Sequence, residues 1–129
     1  MLSAHDLAAA QHEACHAAAA LYVGRELVSV SRTDAGGQTI SVAASDIPDA
    51  EAALVVLLVS TYVTGIGGRD LESAVRLANE SGASLDAAND RVRKMIADPE
   101  YRRVFRAIES ALAVRPTLTG NEVAALLAR

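Results

Sequence analysis

Apolar positions recur along this chain with two periods, and the switches between them outline the elements. Ser3, with Asp6 three residues later, forms a capping-box pattern, and an alanine-rich helix is predicted from there to about Val23, before Gly24 ends it. Glu26 to Arg32 alternates apolar and polar residues at period two. Asp34-Ala35-Gly36-Gly37 has turn chemistry, and Gln38 to Ala43 alternates again. This predicts a β-hairpin packed on the first helix. Two strands alone are marginal, so helices must cover one face. Ser45 to Pro48 reads as the entry to a second helix, about Asp49 to Thr64, apolar on nearly every side and therefore central. Gly65-Ile66-Gly67-Gly68 breaks it. A third helix is predicted to begin near Asp70, with Leu71, Ala74, Val75 and Ala78 as its inward stripe. A fourth follows from about Ser84 to Ala97, and a fifth from Asp98-Pro99 to before Pro116. Thr119-Gly120-Asn121-Glu122 forms a second capping box and opens a short last helix carrying Val123, Leu126 and Leu127.

No repeat or low-complexity linker interrupts this order, so one domain is expected over residues 1–129. Its class is mainly α (α+β), helical with a small hairpin on the first helix. Apolar residues make up 51% of the chain but aromatics only 3%, with no Trp, so Ala, Val, Leu and Ile must build closely packed helices. The formal charge of −4 argues against a nucleic-acid partner. Arg91, Arg93, Lys94, Arg102, Arg103 and Arg106 have acidic neighbours and no interleaved aromatics, as on a solvated helix face. The longest apolar run, Ala52 to Val63, is interrupted by Ser60 and Thr61 and falls short of the roughly 20 residues that span a bilayer. No apolar leader opens the chain, and the expectation is a cytoplasmic protein without membrane contact. The single cysteine, Cys15, excludes an internal disulfide.

Chemistry concentrates in His12-Glu13-Ala14-Cys15-His16. Histidines four apart on a helix sit one turn apart on one face, so both imidazoles can reach one zinc ion. Glu13 projects beside them, where a carboxylate can take a proton from a metal-activated water. Alanines on both flanks favour the helix that this geometry needs. Cys15 points away from the histidine pair and is expected to pack as a small buried residue. His5 lies about 10 Å farther along the axis, too far to share the ion. A catalytic zinc site usually takes three protein ligands, so a third must come from downstream, and an acidic residue opening a helix is a candidate.

Gln11-His12-Glu13-Ala14-Cys15-His16-Ala17 resembles the HEAGHA segment of the FtsH-type ATP-dependent zinc metalloproteases, the M41 peptidase family. Asp70-Leu71-Glu72-Ser73-Ala74-Val75-Arg76-Leu77-Ala78 is similar to that family's second signature. Thr117-Leu118-Thr119-Gly120-Asn121-Glu122-Val123 is similar to a short segment near its C-terminal end. The resemblance implies a zincin-like domain with His12, His16 and Asp70 as zinc ligands and Glu13 as general base. Asp86, in Gly82-Ala83-Ser84-Leu85-Asp86, is the alternative third ligand. Cys15 departs from the family's glycine, and the interval between His16 and Asp70 is shorter than in the full-length proteases. No phosphate-cradling G-x-x-x-x-G-K-[ST] occurs, so a free-standing peptidase-like domain is expected, with a homo-oligomer or a separate ATPase as possible partners.

The expected activity is hydrolysis of peptide bonds in unfolded or extended polypeptide. The substrate is expected to lie along the outer strand of the hairpin, at Gln38, Thr39, Ile40, Ser41 and Val42. Two other classes fit the same residues: a non-catalytic zinc-stabilised or peptide-binding domain, and a helical scaffold without metal.

Overall fold

The computed structural model describes residues 2–33, 36–44, 49–65 and 68–128. The turn residues Asp34 and Ala35, the helix entry at Ser45 to Pro48, and Ile66-Gly67 of the glycine-rich break lie outside these. Among the described residues the chain forms α1 (Ala4–Tyr22), β1 (Glu26–Thr33), β2 (Gly36–Val42), α2 (Ala50–Val63), α3 (Gly68–Ser81), α4 (Leu85–Ala97), α5 (Pro99–Val114), β3 (Thr117–Thr119) and α6 (Gly120–Leu127). This is a mainly helical α+β domain with a small antiparallel sheet. Among the described residues, no helix is long and apolar enough to cross a membrane.

Helix boundaries follow local chemistry. Ser3 Oγ accepts from the Asp6 amide while the Asp6 carboxylate accepts from the Ser3 amide, closing the capping box that opens α1. Thr119 and Glu122 do the same for α6. Ser84 and Asp98 cap α4 and α5 through their side chains.

The sheet has the order β2-β1-β3 with both pairings antiparallel. Its third strand departs from the two-stranded hairpin expected from the sequence. β3 is three residues long, too short to display a period of two, and it forms by pairing with Ser29–Ser31 of β1. A bulge between Leu27 and Ser29 shifts the β1–β2 register. The extra residue turns Leu27 and Val30, three apart, into the same core, while Val28 stays exposed. α6 starts hard against this bulge: a Cβ on Gly120 would lie 1.9 Å from the Leu27 carbonyl oxygen, so only glycine fits there.

α1 is the hub, packing on α5, α2, β1 and β2. Ala14, Ala17, Ala18, Ala19 and Ala20 are buried, and their small side chains let four neighbours approach its backbone. α2 is central as expected, contributing Leu54, Val55, Leu58 and Val59 to the core. The inward stripe of α3 is narrower than expected. Ala74 and Ala78 are buried, but Leu71 and Val75 are exposed, because α3 packs mainly on α2 and only slightly on α4.

Candidate metal centre

Two elements carry the three donors. α1 carries His12 and His16 one turn apart. α3 begins at Gly68 rather than Asp70, which sets the Asp70 carboxylate in its first turn, facing them. The two Nε2 atoms are 3.2 Å apart, and Asp70 Oδ2 lies 3.2 Å from His12 Nε2 and 2.9 Å from His16 Nε2. Among the described residues, His12, His16 and Asp70 form a group that could hold a metal ion.

His16 Nδ1 lies 2.6 Å from the Val56 carbonyl oxygen. A carbonyl can only accept, so Nδ1 carries a proton, and Nε2 is the nitrogen that faces Asp70 and His12. Metal-ligating histidines commonly donate their other ring N–H to such an acceptor, so this contact is compatible with a ligand role. The charge balance agrees. The hydrogen bond to Asp70 raises the His12 pKa against the effect of partial burial. Burial pushes the Asp70 carboxyl up, and the two imidazoles more than reverse this, holding it well below the usual carboxylate range. The site favours a positive charge among its three donors.

Glu13 lies on the side of α1 that faces β2 and is 7% exposed. Its Oε1 accepts from Thr39 Oγ1 at 2.8 Å, a hydroxyl that is also 3.1 Å from the Glu13 carbonyl oxygen. Gly37 makes room for this contact. A Cβ there would stand 2.5 Å from Glu13 Cγ and 2.6 Å from the Ser31 carbonyl oxygen.

The remaining candidates separate clearly. Asp86 is exposed in the first turn of α4 and is not part of the group; Asp70 occupies the third place. Cys15 is buried, with its thiol donating to the His12 carbonyl and its pKa pushed up by burial. His5 is exposed and outside the group. β2 is an edge strand, with Gln38, Ile40 and Val42 exposed and Thr39 and Ser41 half-buried. Thr39 and Ser41 are already engaged, the first with Glu13 and the second with the Arg25 guanidinium, which also pairs with Asp49. A cleft of about 360 Å³ separates β2 from α2, lined in part by Thr39, Ile40, Val56 and Leu57. Through Val56 and Thr39 it adjoins both the His16 anchor and the Glu13 contact.

No protein-family model and no curated protein matches this chain. The site stands on its own geometry.

Sequence reasoning missed three parts of the site: the Val56 carbonyl, the Thr39–Glu13 bond, and Ser60, whose Oγ donates to Asp70 Oδ2 at 3.2 Å. A backbone carbonyl leaves no trace in a sequence, and Thr39 is ordinary in a strand. Ser60 did leave a signal. It is a polar residue on a helix that is otherwise apolar nearly all round.

Proposed function

We propose that this protein is a zinc-dependent metallopeptidase with a zincin-like active site, as its resemblance to the FtsH-type proteases implies. His12, His16 and Asp70 hold the ion and Glu13 is the general base. One observation carries the reading: Nε2 of His16, its other nitrogen fixed by Val56, converges with His12 Nε2 and Asp70 Oδ2 at 2.9–3.2 Å. Tetrahedral zinc with bonds of about 2.0–2.1 Å holds its ligands roughly 3.3 Å apart, and a triangle of this size needs only slight opening to match. Two imidazoles and one carboxylate are also a donor set that zinc enzymes use.

A bound zinc ion supplies a Lewis acid for the scissile carbonyl and an acidified water near neutral pH. The work of the chain is proton transfer and alignment. Glu13 accepts the proton of the attacking water and returns it to the leaving amine, and Thr39 orients its carboxylate for both transfers. The free edge of β2 offers backbone donors and acceptors to an extended peptide, with Gln38, Ile40 and Val42 toward solvent and the cleft beneath. Main-chain pairing of this kind suits unfolded substrates of varied sequence.

Glu13→Gln is expected to lower cleavage of an unstructured protein such as casein by roughly 100-fold or more while zinc content stays unchanged. Cleavage that survives the substitution rules out Glu13 as the base. The burial of Glu13 and its bond to Thr39 also favour a second reading, in which the glutamate ties β2 to α1 in a zinc-stabilised domain without activity. Zinc-loaded protein that cleaves nothing, yet melts lower after chelation, is the outcome that reading expects.

A further inference from the structure

We infer that Ser60 is a positioning residue for the metal centre, orienting the Asp70 carboxylate, so that α2 serves as a common template for an imidazole and a carboxylate ligand. The inference rests on the metal site of the proposed function and extends it to a residue outside the motif.

Three polar or charged side chains are buried among the described residues: Glu13, His16 and Ser60. The first two belong to the motif. Ser60 has 0% exposure in α2, whose Leu54, Val55, Leu58 and Val59 are also buried, and there a hydroxyl is costly unless bonded. A serine inside a helix commonly returns its hydroxyl to the carbonyl four residues back. Here that carbonyl belongs to Val56 and receives Nδ1 of His16 at 2.6 Å. The Ser60 hydroxyl instead donates across the helix interface to Asp70 Oδ2 at 3.2 Å. Residues 56 and 60 share one face of α2 by helical spacing. One strip of that helix therefore holds His16 through a backbone acceptor and Asp70 through a side-chain donor.

The direction of each bond matters. A ligating histidine must offer Nε2 unprotonated, and an acceptor at Nδ1 enforces that tautomer. A carboxylate can turn either oxygen inward, and a donor held at Oδ2 selects the oxygen that faces both imidazoles. The Val56 carbonyl cannot be removed by substitution of its side chain, but the Ser60 hydroxyl can. Alanine at position 60 keeps the helix, being smaller and a better helix former.

The test is competitive titration of zinc against a chelating dye, with the full chain and its Ser60→Ala variant. It is repeated with cobalt, whose visible absorption reports ligand geometry. The variant is expected to bind zinc about 10- to 100-fold more weakly, the range for losing an outer-sphere partner. Its cobalt bands are expected to change, while the metal-free melting temperature stays close to that of the parent. Unchanged zinc affinity with an unchanged cobalt spectrum overturns the inference, and so does a fall in metal-free stability with affinity intact, which marks Ser60 as a packing residue only. A parent chain that takes up neither metal removes the proposed site and this inference together. Unchanged affinity and an unchanged cobalt spectrum in the variant remove the inference alone.

Discussion

Glu13 touches strand β2 at two points, and each makes a demand on a single residue. Thr39 supplies the hydroxyl and Gly37 the space. At Gly37 the Ser31 carbonyl is the harder obstacle, because a backbone atom in a paired strand cannot rotate away as Glu13 Cγ can. Gly37→Ala is therefore expected to cost about 1–3 kcal/mol in urea unfolding, the usual penalty of overpacking. Stability equal to the parent's contradicts the close approach. The donors set a pH dependence as well. The His12 pKa is raised above its ordinary 6.5 and that of Asp70 is lowered below its ordinary 3.8. In metal-free protein the His12 contribution is complete below about 6.5 and is lost as pH rises through the raised value. The Asp70 contribution is complete above about 3.8 and is lost as pH falls toward the lowered value. Metal-free melting temperatures measured across pH are expected to carry both contributions between these limits, with the His12 part declining above them. Zinc bound as proposed would have to displace the His12 proton, so its affinity is expected to fall at a higher pH than for an unperturbed histidine. Chelator competition at several pH values checks this, and a flat profile contradicts the role of His12. At this scale the sequence revealed His12, Glu13 and His16, whose relation is four residues of helix. Thr39 and Ser60 matter through partners 26 and 10 positions away, which no local pattern encodes.

Elements were legible where their ends carry their own chemistry. α1, α4 and α6 start within a residue of the expected caps, because Ser, Thr and acidic residues satisfy amides in their own first turn. Burial was less legible. Leu71 and Val75 have the spacing of a buried stripe on α3, yet both face solvent. Ala74 and Ala78 are the residues that let this helix lie close to α2. With only two small residues buried, α3 has little apolar area to hold it, and Asp70 at its start is its link to α1. If zinc occupies the proposed site, its removal is therefore expected to speed amide exchange in α3 while α1 and α2 stay protected. Hydrogen–deuterium exchange with and without a chelator measures this, and equal protection of α3 in both states contradicts a metal clamp.

Across the whole molecule, alanine content and chain order work together. The small side chains of α1 allow α5, α2 and the hairpin to crowd around one helix, so the motif histidines sit at the junction of several elements rather than on an open face. The same crowding buries Glu13 against β2 and brings the Val56 carbonyl within reach of His16. Tyr101 shows how far such contacts reach: it is buried on α5, and its hydroxyl donates to the Cys15 carbonyl 86 residues earlier. The amino-acid order alone settled the α+β class, the caps, and the pairing of two imidazoles with a carboxylate on one helix, because periodicity and capping act over a few residues. Tertiary packing alone decided which oxygen of Asp70 meets the imidazoles, which nitrogen of His16 meets the Val56 carbonyl, that a third strand joins the sheet, and which apolar residues of α3 stay in water. Those outcomes depend on which faces meet across long stretches of chain, and the meeting is chosen by the summed fit of many side chains.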